Sequence, residues 1–577
     1  MDLLDWLREE DLPEPRPAAE LAEGARKAAS RFRMAFGAEE AARAIRQTAD
    51  QYAILETACK RLALRVFLDP SDESSRQAHD LYMDFRRQFL TEYSDYFLMV
   101  TQSSKGEKAK AYLGQSYWDA LKRLSASARK ELAPELETER AEVRSQEERL
   151  DRLSFSSTRP AAVRGDTRRL LQSMSRDRRM RAYHTLAGDL ARSLKETEQS
   201  FARLHELRRN LAEKAGYLSF YDYTVSRSGL DDQARPQIPV FRKLVEEHIA
   251  PLLPRARSLQ WERTGQSEPR PWDLLYPAVF GVPVLDTQAF PLEDTYLEAL
   301  TAIFTAKSPL YEAMKEKGAL SFRVMPGPGA DEVPAELCSL DGSSGVLGAY
   351  MPGIGKSFLF LSQVPQERLG RILFSETGLL LLNQANAAQE EPFPFAAPEA
   401  ILQTVRHSMA FLSQKTWGLF YGNMARYARE YDLLELLADL PLYAALDEME
   451  EFLCRARVTN LNVFRHAWGE IASRYQLDGA APASPSLLPL EDLWLYAPSW
   501  WTRPLEGIYY ALGAVSALGT LPLGRHYRRL EDAFVRLLVA PPEMPACQRI
   551  AKAGYPSPFE EETVRKAAFA MADFLGL

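Results

Sequence analysis

Hydrolytic chemistry on a polypeptide scaffold needs an activated nucleophile, a bound metal or a cradle for phosphate, and this sequence approaches each without completing any. Gly353-Ile354-Gly355-Lys356-Ser357 ends like a phosphate-binding loop, but Tyr350 stands where the first glycine belongs. The residues that follow, Phe358-Leu359-Phe360-Leu361, read as a strand, so no helix N-terminus would face a phosphate. No GxSxG elbow occurs to present a nucleophilic serine. The seven histidines (His79, His184, His205, His248, His407, His466, His526) are dispersed, with no two spaced four apart. A helical zinc pair needs that spacing, because residues i and i+4 share a face. Cys59, Cys338, Cys454 and Cys547 form no CxxC pair, which excludes a zinc ribbon and a disulfide framework.

Composition narrows the class further. The chain has 577 residues, 46% hydrophobic, 26% charged and 10% aromatic, the proportions of a folded globular protein long enough for more than one lobe. Lys and Arg number 71 against 79 Asp and Glu, a formal charge of -8, which argues against nucleic acid as the partner. The opening Met1-Asp2-Leu3-Leu4-Asp5-Trp6 lacks the basic and apolar regions of a signal peptide, so a cytoplasmic location is expected. Gly507 to Gly524 is uncharged, yet its glycines and Pro522 suit a buried helix better than a membrane span.

The elements are mostly helical. Ile45, Ala49, Tyr52, Leu55, Cys59, Leu62 and Val66 alternate in steps of three and four, and Asp69-Pro70 ends that helix. A long helix is expected over Ser173 to Lys214, stopped by Gly216. Further helices are expected over Val240 to Gln260, Leu292 to Lys317, Glu367 to Gln389, Pro398 to Tyr431, Leu433 to Tyr475 and Glu560 to Phe574. The Arg-rich Ser175 to Arg181 reads as a solvated face. Between Leu320 and Leu361, the runs Phe322-Arg323-Val324, Leu337-Cys338-Ser339-Leu340 and Phe358 to Leu361 predict a small antiparallel sheet.

Four stretches, in consistent order, resemble the oligoendopeptidase F branch of the thimet-oligopeptidase-like zinc metallopeptidases. Arg209-Asn210-Leu211-Ala212 through Gly216-Tyr217 and on to Asp222-Tyr223 is similar to that family's RN-x-A-x-x-x-GY-x-x-x-x-DY segment. Arg270-Pro271-Trp272-Asp273 resembles its turn before the substrate lobe, and Gly348-Ala349-Tyr350-Met351-Pro352 its strand at the cleft edge. His407 to Leu412 with Trp417 to Gly422 resembles the helix after its metal motif. The resemblance implies a mainly α fold: two helical lobes around a deep cleft, divided near residue 200 into 1–200 and 201–577, with the β-region at about 320–361.

It also implies a loss. Where the family carries H-E-x-x-H this chain has Ser375-Glu376-Thr377-Gly378-Leu379, and the third ligand position is Gln403. Only Glu376, the general-base position, survives. In the later H-x-x-x-x-P-F-YY-x-DY cluster, Tyr509 and Tyr510 remain, while Thr502 and Gly513 replace the His and the last Tyr. Ser, Leu and Gln supply no anionic or soft donor, and without a metal a water is not acidified towards the ~7 of a zinc-bound water, leaving Glu376 nothing to activate. Zinc and every other cofactor are therefore expected to be absent, and Glu376 to be a relic carboxylate paired with Arg406 or His407. Tyr350, Arg406, His407, Tyr509 and Tyr510 are candidates to line a peptide cleft, with ordinary packing the alternative for each tyrosine. The expected role is a non-catalytic peptide-binding or regulatory protein, with an oligopeptide or protein as partner and neither nucleic acid nor membrane. An active oligopeptidase with an unconventional metal site, and a structural subunit with a vestigial cleft, are the alternatives.

Overall fold

Asp72 begins the best-capped helix of the N-terminal region: its carboxylate accepts from the Ser74 amide at 3.0 Å and the Ser75 hydroxyl at 2.6 Å. This belongs to a computed structural model that describes residues 12–68, 72–127, 130–152, 173, 175–228, 234–264, 270–274, 292–304, 320–324, 346–351, 356–361, 368–388, 397–457, 459–478, 492, 494–495, 498–501, 504–521, 527–542 and 544–577. The first helices are α1 (Ala18–Met34), α2 (Ala38–Leu68), α3 (Glu73–Gln102), α4 (Ser104–Leu113) and α5 (Gln115–Ser127). Along α2 the expected stripe from Ile45 to Leu62 is buried. With Phe89 and Tyr93 stacked at 4.1 Å on α3 and Trp118 on α5, it forms a core of its own.

A second, larger core begins with α6 (Ala133–Arg152) and α7 (Arg176–Ala215). Gly216 ends α7 in the left-handed conformation, at φ 84°, where a side chain would be strained. Residue 200 falls inside α7, which runs unbroken across it. The Arg-rich start of α7 is not simply a solvated face: Arg179 is buried and donates to Asp273 at 2.8 Å, and Arg176 joins it. That acid belongs to the Arg270-Pro271-Trp272-Asp273 turn, so the turn is tied to α7 by charge.

The chain continues through α8 (Phe220–Ser228), α9 (Ile238–His248), α10 (Leu252–Thr264) and α11 (Leu292–Ile303). One helix was expected from Val240 to Gln260; there are two, because Pro251 offers no amide and disfavours helical geometry at Ala250. The continuation expected from α11 to Lys317 lies outside the described residues beyond Phe304.

Strands β1 (Leu320–Val324), β2 (Val346–Met351) and β3 (Lys356–Leu361) form a sheet in the order β1-β3-β2. β2 runs antiparallel to β3, but β1 runs parallel to it, correcting the expectation of a purely antiparallel region. A parallel pair needs a long crossover, and the chain between Val324 and Lys356 is long enough to supply one. The strand expected over Leu337–Leu340 lies outside the described residues.

The remaining helices are α12 (Leu369–Ala387), α13 (Glu399–Ser413), α14 (Ala425–Arg455), α15 (Leu461–Arg474), α16 (Glu506–Thr520), α17 (Arg528–Val539), α18 (Ala546–Ala553) and α19 (Glu561–Leu575). The boundary expected at Asp432 is absent, since that residue is buried mid-helix in α14. The helix expected over Pro398 to Tyr431 instead ends at Ser413, with short turns before α14, and a second break comes before α15, whose Asn460 side chain caps the Asn462 and Val463 amides. α16 is the uncharged segment, buried at every residue from Ile508 to Thr520. Among the described residues no helix is long and apolar enough to cross a membrane.

At Gly513 the absence of a side chain is what lets α16 lie on α13: an added β-carbon would stand 2.7 Å from Gln403 Cβ. Gly513→Ala is therefore expected to destabilise the protein by about 1–3 kcal/mol through overpacking. Gly469→Ala, with open space around it on α15, should stabilise by about 0.5–1 kcal/mol. Thermal unfolding midpoints of the two variants, moving in opposite directions from the parent, are the check.

Candidate functional site

α12 carries two charged side chains in an otherwise apolar or neutral sequence, Arg371 and Glu376, and both are buried. Burial of a charge is tolerated only where something compensates it. For Glu376 that partner is Arg406 on α13, whose Nη2 lies 3.6 Å from Glu376 Oε1. His407, the other candidate for that pairing, has a different partner. Strand β2 passes over the carboxylate, since a β-carbon on Gly348 would be 3.3 Å from Glu376 Oε2. Tyr350, two residues along, is half buried, and burial pushes its phenol upward from the ordinary value.

The other positions around Glu376 are equally committed. Ser375 is buried, and Leu379 packs against the main core. Gln403 is buried too; its amide nitrogen donates to Glu399 Oε1 at 2.6 Å, along its own helix. Gly513, in the place of the last tyrosine of the expected cluster, presses α16 onto the Gln403 backbone. Thr502 lies outside the described residues.

Arg371, which the sequence analysis passed over, organises the second half of the centre. Its Nη1 donates to Asp432 Oδ1 at 2.6 Å, and its Nη2 reaches His407 Nδ1 at 3.0 Å and the Tyr510 hydroxyl at 2.9 Å. A guanidinium can only donate, so His407 Nδ1 accepts and the imidazole proton sits on Nε2. The His407 and Tyr510 rings meet edge to face at 4.4 Å. Burial, then the charges of Arg371 and Arg406, hold His407 well below the usual imidazole range, so it is neutral. Burial pushes Asp432 up, opposed by Arg371, and Gln414 donates to its other oxygen at 2.9 Å. Tyr509 and Tyr510 are both buried. The sequence signal for this network was Arg371 itself, a lone cation on an apolar helix, one turn before Ser375.

Zinc is bound by nitrogen, sulfur or carboxylate donors converging on one point. The set here does not fit it: a hydroxyl, an alkyl group, an amide already bonded to Glu399, and one carboxylate facing a guanidinium. Among the described residues no group of three or more His, Cys, Asp or Glu is placed to hold a metal ion.

A cavity of about 990 Å³ opens beside this centre, between the N-terminal helices and the larger core. Glu399, at the start of α13, lines it and lies 4.0 Å from Arg406 Nη1, so the cavity and Glu376 are joined through one chain of charges. Tyr350, Arg406, His407, Tyr509 and Tyr510 are not among its lining residues.

No protein-family model matches the chain, and no curated protein matches it in sequence. Solved structures do match in fold. A structure of PZ peptidase A with an inhibitor superposes with a TM-score of 0.81 at 18% identity, covering 99% of each chain. A protein assigned as an oligoendopeptidase F from Bacillus anthracis gives 0.76 at 17%, covering 99% of this chain and 98% of the other. The oligoendopeptidase-F of Enterococcus faecium gives 0.57 at 14%, over 97% and 96%. At such identities the likeness establishes the fold, which is that of oligoendopeptidase F, and leaves the chemistry to the side chains.

Two outcomes follow from the network. Arg371→Ala leaves Asp432 buried without its cation and should cost about 3–5 kcal/mol. His407 gives a pH dependence: below about 6.5 the unfolded chain takes up a proton that the folded one refuses, so stability falls as pH drops through that value. Thermal melts at pH 7 and pH 5 should show a larger loss for the parent than for His407→Gln, which can still accept from Arg371.

Proposed function

We propose that this chain is a peptide-binding protein on an oligoendopeptidase F-like scaffold whose zinc centre has been lost, and that it does not cleave what it binds. The observation carrying this reading is the Arg406–Glu376 pair. In a zinc peptidase of the implied kind, the carboxylate at this position prepares a metal-bound water. Here it faces a guanidinium, with Ser375, Leu379 and Gln403 around it and no soft or anionic donor among the three. Losing one ligand can be repaired by a neighbour; replacement of all three, with a cation added, leaves no comparable route.

Peptide binding needs no metal. The cavity is at the upper end of the roughly 300–1,000 Å³ that ligand sites occupy, which suits a short peptide. Strand β2 borders the relic centre, and an extended peptide can be held by main-chain hydrogen bonds alone. The Cys454 thiol is buried and outside any disulfide, in keeping with a reducing cytoplasm as the setting.

Quenched-fluorescent oligopeptides provide the test. Peptides that raise the thermal unfolding midpoint should remain intact during prolonged incubation, with or without added zinc. Cleavage abolished by a chelator would overturn the reading in favour of an active peptidase. Restoring the ligands together, as Ser375→His, Leu379→His and Gln403→Glu, should create zinc binding, and adding Arg406→Gln should tighten it by removing a competing charge. A folded restored variant with no affinity for zinc would show that these positions do not form the relic centre.

A further inference from the structure

The cavity wall has a charge that the rest of the molecule does not share. The chain carries a net -8, yet the cavity is lined by seven Lys and Arg side chains against four carboxylates. Two of the cations have buried or half-buried acids of their own. Arg86 lies 2.5 Å from Glu56, and Arg208 lies 2.8 Å from Glu139 while also donating to the Trp501 carbonyl at 2.8 Å. They are structural.

Of the other five, Arg87, Arg140, Arg144 and Arg227 are held loosely. Arg87 of α3 pairs with Asp84 on its own helix, and Arg140 and Arg144 of α6 share Glu137 at 3.9 and 3.3 Å. Those two acids are 58% and 57% exposed, so these are weak, solvent-screened pairs, readily exchanged. Arg227 of α8 lies over the Tyr223 ring at 4.9 Å, and its Nε is buried with no hydrogen-bond acceptor. The three helices set all four guanidiniums in the lining of one cavity. Burial first, then the positive charge of Arg87, draw Arg140 down from the ordinary arginine value, with Arg227 adding to the effect against the pull of Glu137. Like charges gathered in a recess are unfavourable until an anion enters between them.

We infer that Arg87, Arg140, Arg144 and Arg227 form an anion-recognition wall that makes the cavity selective for acidic peptides. The inference rests on the peptide-binding reading and adds to it the charge of the ligand. Guanidiniums offer paired donors matched to a carboxylate, and such charge-assisted bonds are about twice as strong as neutral ones. A long polyanion such as nucleic acid is disfavoured by Asp80 and Glu399 in the same lining and by the net negative charge outside it. A short peptide with spaced carboxylates meets the cations while its amide groups meet those acids.

Fluorescence anisotropy with labelled peptides of equal length, alternating Glu-Ala, Gln-Ala and Lys-Ala, tests this on the full chain. The Glu-Ala peptide should bind about tenfold or more tighter than the Gln-Ala peptide at low salt, the gap narrowing as ionic strength rises. The double variant Arg140→Gln/Arg227→Gln should bring Glu-Ala and Gln-Ala to about equal affinity, removing the roughly tenfold preference. Should that variant fold poorly, Arg87→Glu reverses a charge on a partly exposed side chain and should move preference towards Lys-Ala. Equal binding of Glu-Ala and Gln-Ala by the parent overturns the acidic preference while leaving peptide binding intact. Binding of none of the three overturns both readings, and a single-stranded oligonucleotide binding tighter than Glu-Ala overturns this one in favour of nucleic acid.

Discussion

A carboxylate enclosed between two helices and a strand must be neutralised by something, and at Glu376 the neutralising group is a guanidinium. An uncompensated charge there would cost several kcal/mol. Two kinds of partner satisfy the requirement: a metal held by further ligands, or a basic side chain. They exclude one another electrostatically, because a divalent ion next to Glu376 would also stand next to Arg406. Ser375, Leu379 and Gln403 and the pairing of Glu376 with Arg406 thus belong to one arrangement. Leu379 fills core, Gln403 bonds within its own helix, and Gly513 lets α16 close over it.

Beneath that pair lies the network that keeps the helices in register. Arg371 joins α12 to α13 through His407, to α14 through Asp432 and to α16 through Tyr510. His407 and Tyr510 act here as interior polar groups, each bonded to the Arg371 guanidinium, and both lie away from the cavity. The fold's cohesion comes from the apolar core and these bonds, neither of which needs a metal.

Much of the fold was legible in the sequence because helical periodicity is local. The α2 stripe, the Gly216 stop and the uncharged α16 could each be read within a few turns of chain. Where tertiary contacts decided, the reading failed: β1 pairs parallel across a long crossover, Asp432 turns inward instead of ending a helix, and Arg179 leaves the solvated face for Asp273. Pro251 was a local signal that carried more weight than the periodicity around it. At the site, Glu376 and Arg406 could be anticipated from their register, because an enclosed acid must find a cation. The basic cavity wall could not, since Arg87, Arg140 and Arg227 come from three helices far apart in sequence and no window contains them.

The central claim is that no divalent ion is held between α12 and α13, and metal stoichiometry measures it most directly. Protein purified without tags that bind metal, equilibrated with zinc and freed of excess by gel filtration, should carry well under one zinc per chain by elemental mass spectrometry. About one tightly held zinc per chain, lost on Glu376→Gln, would contradict the account.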